Sequence, residues 1–266
     1  MHTDFHLHTD FSGDSTAPMV NMIKKGVAMG LKIMCFTEHM DLDYIDCGLS
    51  FELDTPSYYK KFQELKEYYK SQITLLFGVE LGLQPHLASL YKDFTNQYPF
   101  DFIIGSSHLV NHQDPYYPEF FQSQGEQQGF YDYFQSILDN LKAFADFDVY
   151  GHLDYIVRYS PNQNKYFSYS EYKEILDEIL NCLIEKGIGI ECNTSGLKYG
   201  LGHPHPNEDI LRRYRQLGGE ILTIGSDAHE PSQIGYEFSR ISDILMDCGF
   251  QYYTIFKERK SEFVKL

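Results

Sequence analysis

Short apolar β-like runs alternate with longer helix-like runs along the whole chain, the pattern expected of parallel strands joined by crossover helices. Seven strands are predicted, at 2–8, 31–37, 73–81, 100–108, 147–155, 187–195 and 220–229, and YYTIF at 252–256 is a candidate eighth, followed by a polar tail. With 266 residues, the chain has room for one α/β barrel, a fold that commonly takes about 250 residues. The expected architecture is therefore a single (β/α)7 barrel, residues 1–266 forming one domain.

Polar residues gather where these strands end: His6 and His8, Glu38 and His39, Glu80, His108, His152 with Asp154, Asn193 to Ser195, and Asp227 with His229. In a parallel barrel all those ends share one face, and that face carries the active site. Side chains two apart on a strand point the same way, so His6 pairs with His8 and Asp227 with His229. By the same rule Glu38 and His39 cannot both face inward; His39 is assigned to the site and Glu38 to orienting a neighbouring histidine. Imidazole and carboxylate donors suit Zn, Fe or Mn, and so many donors exceed what one four- or five-coordinate ion accepts, which predicts two or three divalent metal ions.

Composition narrows the alternatives. A net charge of −16 repels a polyanion at long range and argues against a nucleic-acid polymer as partner. A small anionic substrate stays compatible, because bound cations reverse the local potential. Cys35, Cys47, Cys182, Cys192 and Cys248 are scattered without a C-x-x-C pair, and read as reduced thiols. With no membrane-length apolar run and no secretory leader pattern, the chain is expected to be cytoplasmic and free of the membrane. Its 22 Tyr and 20 Phe are spread throughout, as packing residues rather than a base-stacking platform. Thr55 is the predicted cap of a helix begun by Pro56, EYKEILDEILNCLIEKG at 171–187 is the clearest helix, and 111–125 is predicted as a long loop.

HLH at 6–8, TEH at 37–39, Glu80, GSSH at 105–108, GHLD at 151–154 and SDAH at 226–229 together resemble the polymerase-and-histidinol-phosphatase (PHP) family. HTDFS at 8–12, GHLDYIVRY at 151–159 and ECNTSGLKYG at 191–200 are most similar to its histidinol-phosphatase branch. The resemblance implies a distorted seven-stranded barrel with a trinuclear metal centre. One ion would be held by His6, His8, Glu80 and Asp227, a second by Glu80, His108 and His152 with Glu80 bridging, and a third by Asp14, His39 and His229. It further implies that Arg158 grips the substrate phosphate, and places Lys198 where relatives often carry arginine. Asp227 and His229 are the candidate catalytic groups, supplying the proton that the leaving alkoxide needs. In GLGHPHPNEDIL, His203 and His205 precede a helix expected from about Pro206 and are read as a loop over the pocket mouth, His205 touching substrate. His2, His86 and His112 are given no role.

The activity implied is a metal-dependent phosphomonoesterase that cleaves L-histidinol phosphate to L-histidinol and phosphate, a step of histidine biosynthesis. Adjacent ions lower the pKa of a shared water to give hydroxide near neutral pH, and a further ion polarises phosphate oxygens. The alternatives are a PHP phosphoesterase acting on nucleotides or oligonucleotide ends, and a non-catalytic metal-binding regulatory module.

Overall fold

A computed structural model describes residues 2–44 and 50–266, so Cys47 lies outside the described residues. Its barrel strands are β1 (Thr3–Asp4), β2 (Ile33–Met40), β3 (Thr74–Gly82), β4 (Phe102–Ser106), β5 (Val149–Tyr150), β6 (Gly189–Asn193) and β7 (Leu222–Gly225). All seven are parallel and pair in sequence order. A sheet wound always in the same direction curls as it twists. Its edges meet where Phe5 N donates to Ile224 O at 3.0 Å and Leu7 bridges Ala228, which nearly closes the barrel.

The helices between and after the strands are α1 (Met19–Met29), α2 (Thr55–Tyr69), α3 (Ala88–Thr95), α4 (Pro118–Gln124), α5 (Glu126–Ala143), α6 (Lys173–Lys186), α7 (Ser195–Lys198), α8 (Glu208–Gln216) and α9 (Phe238–Asp247). In α6, the helix expected at 171–187, Ile175, Ile179 and Leu183 are buried, and Gly187 closes the helix at φ +71°, a conformation glycine adopts without steric cost. The α2 cap is Asp54, one residue before the predicted Thr55, because its carboxylate accepts the Ser57 N–H at 3.2 Å. Likewise α8 starts after Pro206, with the Asn207 side chain accepting the Ile210 N–H. The predicted loop 111–125 contains α4. No helix among the described residues is long and apolar enough to cross a membrane.

Two strands are shorter than their apolar runs. Beyond Asp4 the backbone N–H groups of Leu7 and Thr9 are taken by Thr37 Oγ1 and Glu38 Oε2, and beyond Tyr150 that of His152 is taken by Glu191 Oε2. Side chains of the site thus replace the strand ladder as acceptors where it would otherwise continue.

The expected eighth strand and polar tail form a separate antiparallel hairpin, β8 (Tyr252–Lys257) and β9 (Lys260–Lys265), paired only with each other. It covers the N-terminal end of the barrel. Phe256 joins Phe5, Cys35, Leu76, Phe102, Ile104 and Val149 in a second, smaller core distinct from the one beneath the helices. Asp101 Oδ2 accepts the Phe77 N–H and its Oδ1 the Glu258 N–H, while Asp148 Oδ2 accepts the Ile103 N–H and faces Arg259. Burial pushes the Asp148 carboxyl up to about 6, against the pull of Arg259.

The sign follows from linkage: between its ordinary range and pH 6 the folded protein holds a proton that the unfolded chain has lost, so stability falls as pH rises through that window. Relative to Asp148→Asn, the wild-type protein is expected to lose about 2 to 3 kcal/mol between pH 4 and pH 7. Urea unfolding of both proteins at the two pH values measures this, and a difference that does not change with pH contradicts it.

Candidate metal centre and active site

Glu80 stands at the middle of the C-terminal face, fully buried, directly across from His39 in the β2–β3 register. Five imidazoles surround its carboxylate. Oε2 lies 3.2 Å from His6 Nε2, 3.5 Å from His8 Nε2 and 3.0 Å from His39 Nδ1, while Oε1 lies 3.3 Å from His108 Nε2 and 2.9 Å from His152 Nε2. Burial alone would raise the Glu80 pKa, but His6, His108 and His39 outweigh it and hold it well below the usual carboxylate range.

Two further carboxylates extend the cluster. Asp227 Oδ1 is 3.5 Å from His8 Nε2, 3.8 Å from His6 Nε2 and 3.6 Å from His229 Nδ1. Asp14 Oδ2 is 3.1 Å from His229 Nε2 and 3.6 Å from His39 Nε2. The structure therefore brings all nine predicted metal-site residues into one continuous group, with the neighbours that each predicted ligand set contains.

A surrounding layer fixes which ring nitrogens face inward. Glu191 Oε1 is 2.7 Å from His6 Nδ1, and Asp41 Oδ1 is 2.6 Å from His108 Nδ1. Those carboxylates accept the Nδ1 protons and turn each Nε2 toward Glu80 as the atom that can serve as a metal ligand. Glu38 accepts the Ser12 hydroxyl at 2.6 Å, and Ser12 Oγ in turn accepts from His8 Nδ1 at 3.1 Å and from the His39 N–H at 3.0 Å. The supporting role expected of Glu38 is thus exerted through Ser12. At His108, burial is overcome by Asp41 and Glu80, and the pKa rises to about 10. At His8, burial together with His39 and His229 pushes it well below the ordinary value.

Whether this cluster suits metal ions is tested by its hydrogen bonds. Among the described residues, His6 Nε2, His8 Nε2, His39 Nδ1, His229 Nε2 and Glu80 Oε2 are buried without a hydrogen-bond partner. An unsatisfied buried polar atom costs about 1 to 3 kcal/mol, and these converge on shared space. His6, His8 and Glu80 offer ligand atoms close enough to share one ion, as do His8, His39 and His229. The residues fit divalent metals.

Above the cluster lies a cavity of about 410 Å³ lined by His39, His108, Asp227 and His229 below, and by Tyr116 and Arg158 among its walls. The Arg158 guanidinium lies 4.1, 4.5 and 5.0 Å from the ring centres of Tyr199, Tyr159 and Tyr155, and donates to the Tyr159 hydroxyl. Among the described residues no carboxylate forms a salt bridge with it, and it lines the cavity together with Asp227.

Two predicted substrate contacts sit elsewhere. Lys198 Nζ donates to Asp227 O and Gln233 Oε1, both at 3.1 Å, and is not on the cavity wall. His205 does not lie over the pocket mouth: it is fully buried, with Nδ1 2.5 Å from Asp154 Oδ1, because its backbone pairs with Asn193 of β6.

Asp41 and Glu191 were not singled out from the sequence. The available signals were strand parity, since Asp41 is two residues from His39 and Glu191 two from Asn193, and the glycines that make room for them. A Cβ at Gly82 would fall 1.7 Å from Asp41 Oδ1, and one at Gly225 2.3 Å from Glu191 Oε1. Asp227 and His152 hold positive φ, +53° and +22°, and sparsely populated backbone of this kind clusters at functional sites.

Residues 4–195 match the PHP domain family. The chain belongs to that family. It is 30% identical over 261 residues to a histidinol-phosphatase of Lactococcus lactis, covering 97% of this chain and 95% of the relative. It is 34% identical over 250 residues to a probable histidinol-phosphatase of Clostridium acetobutylicum, covering 93% and 94%. A crystal structure of the histidinol phosphate phosphatase from Lactococcus lactis, complexed with Zn, L-histidinol and phosphate, superposes with a TM-score of 0.89 at 29% identity, covering 98% of both chains.

Within this PHP domain, Glu191→Gln keeps the shape beside His6 but removes the charge that accepts its Nδ1 proton. Zn²⁺ affinity is expected to fall about 10- to 100-fold, as read by competition with a chromophoric chelator; unchanged affinity would show that Glu191 does not tune the centre.

Proposed function

We propose that this chain hydrolyses L-histidinol phosphate to L-histidinol and phosphate, a step of histidine biosynthesis, with residues 1–266 acting as one catalytic domain in the cytoplasm. The observation that carries the reading is the convergence of buried, partnerless imidazole and carboxylate atoms on Glu80 beneath a cavity whose wall presents Arg158. Relatives named for this activity match nearly end to end, and one of them was crystallised with both products of the reaction.

Two or three divalent ions of the Zn, Fe or Mn type would be held by His6, His8, Glu80 and Asp227, by Glu80, His108 and His152, and by Asp14, His39 and His229. Bound there, they supply Lewis acidity toward phosphate oxygens and make water nucleophilic near neutral pH. Arg158 binds the phosphoryl group through its planar fork and holds it over the cluster, which is the positioning an in-line displacement requires. Tyr155, Tyr159 and Tyr199 keep the guanidinium in that orientation. The aromatic wall of Phe51, Tyr116 and Tyr117, with the Asp114 carboxylate among them, complements a leaving group that carries both an imidazole and an ammonium. Asp227, held ionised by His6, and His229 stand side by side at 3.6 Å on the cavity wall, where they would take the proton that the attacking water loses and pass it to the departing alkoxide. Net charge of −16 supports a small substrate over a nucleic-acid polymer.

In a panel of phosphate monoesters that includes nucleotides, assayed on enzyme reconstituted with each metal in turn, histidinol phosphate is expected to give the highest kcat/KM. A nucleotide or generic ester that exceeds it tenfold would overturn the substrate while leaving the hydrolase class standing. Glu80→Ala is expected to remove more activity at saturating substrate than Arg158→Ala, because Glu80 faces two ligand sets and Arg158 only the substrate. The Arg158 variant should show its loss mainly in KM. Equal losses in kcat with full metal occupancy in both variants contradict the bridging position.

A further inference from the structure

Asp43, His86 and His112 come together outside the catalytic cluster, although His86 and His112 looked incidental in the sequence. His86 Nε2 lies 3.0 Å from Asp43 Oδ2, His112 Nδ1 lies 4.0 Å from the same oxygen, and the two imidazole rings are 5.1 Å apart between centres. Ligand atoms of the three lie within 4.8 Å of one another. Around one tetrahedral ion with bonds near 2.1 Å, donor atoms stand about 3.4 Å apart. The observed separations bracket that value, so small side-chain rotations suffice.

We propose that Asp43, His86 and His112 form a separate binding site for one transition metal ion of the Zn²⁺, Co²⁺, Ni²⁺ or Cu²⁺ class. Two neutral imidazoles and a carboxylate are the donor set these ions favour over Mg²⁺ or Ca²⁺. The side chains are 47%, 45% and 65% exposed for Asp43, His86 and His112, so water completes the coordination and the ion exchanges freely with solvent. The negative field of a chain carrying −16 favours the cation.

Position gives the site a consequence. Its three residues come from the loops after β2, β3 and β4, on the same face as the cavity. Asp43 precedes Tyr44, which is bonded to Asp114, and His112 is two residues before Asp114; Tyr44 and Asp114 both line the cavity. The Gln84 side chain already joins two of these loops by donating to Leu42 O at 2.9 Å. An ion on Asp43, His86 and His112 clamps all three, and so steadies one wall of the cavity without touching the catalytic cluster.

The test uses the full-length protein and Cu²⁺ and Zn²⁺ as probes. Zn²⁺ titration of metal-stripped wild-type protein and of the His86→Ala/His112→Ala variant should show one ion fewer per chain in the variant, its tighter sites unchanged. Cu²⁺ added to protein whose tighter sites are already filled with Zn²⁺ should give an electron paramagnetic resonance spectrum with nitrogen coupling that the variant lacks. Hydrogen exchange over residues 109–114 should slow at least tenfold on filling the site in wild type alone. Both substituted residues are exposed, and matching circular dichroism of the two proteins establishes that the variant folds. Equal stoichiometry in both proteins, or a copper spectrum without nitrogen coupling in wild type, overturns the site; loss of the ion without any change in exchange overturns the clamp. None of these readouts depends on the substrate, so failure here is distinguishable from failure of the proposed phosphatase activity.

Discussion

A carboxylate with no solvent exposure is costly to keep ionised, and Glu80 is held in its ionised form chiefly by His6, His108 and His39 among the five imidazoles around it. That requirement shapes the rest of the active face. His6, His8, His39, His108 and His152 arrive from four different strands and their following turns, so the barrel must close accurately enough for rings separated by more than a hundred residues to reach one carboxylate. The same concentration of donors leaves several of them without hydrogen-bond partners. A protein interior tolerates few such atoms, and cations bound among them would satisfy them together.

The outer layer makes the cluster specific rather than merely charged. Each inward nitrogen of His6, His8 and His108 is defined by what its other nitrogen touches: Glu191, Ser12 backed by Glu38, and Asp41. The glycines at 82 and 225 are part of this arrangement, since a methyl group at either would occupy the space of Asp41 or Glu191. Local sequence rules are obeyed in the strands and set aside around the site, where side chains take over backbone hydrogen bonds and Asp227 adopts a left-handed conformation.

Much of this was legible because the signals were local. The β2 and β3 runs are buried on both faces and read as continuous apolar segments, and eight of the nine predicted metal-site residues fall at or just beyond strand ends, where spacing and residue type mark them, whereas Asp14 came only from the family resemblance. What was not legible depends on contacts between distant parts of the chain. Glu191 meets His6 across 185 residues and Asp41 meets His108 across 67. The hairpin was misread because β9 is exposed along most of its length and its polar composition resembles a tail. His205 has the neighbours of a surface loop, yet its pairing with Asn193 carries it inside to Asp154. Asp43, His86 and His112 share no motif, and only the pairing of β2, β3 and β4 sets their three loops side by side.

Lys198 shows how a residue can serve the site from outside the cavity. The turn that presents Asp227 is held on every side: Asp4 accepts both the N–H and the hydroxyl of Ser226, Lys198 donates to Asp227 O, and Gln233 accepts the His229 N–H. Lys198 also donates to that same Gln233 side chain. A compact ammonium with rotatable donors can satisfy a carbonyl and an amide oxygen lying in different directions, whereas a planar guanidinium fork is shaped for the paired oxygens of a carboxylate or phosphate. The division between Arg158 and Lys198 follows from this geometry. Arg158 stands on the cavity wall against the tyrosine rings, and Lys198 stands where two separate backbone and side-chain oxygens must be joined to fix the loop that carries Asp227.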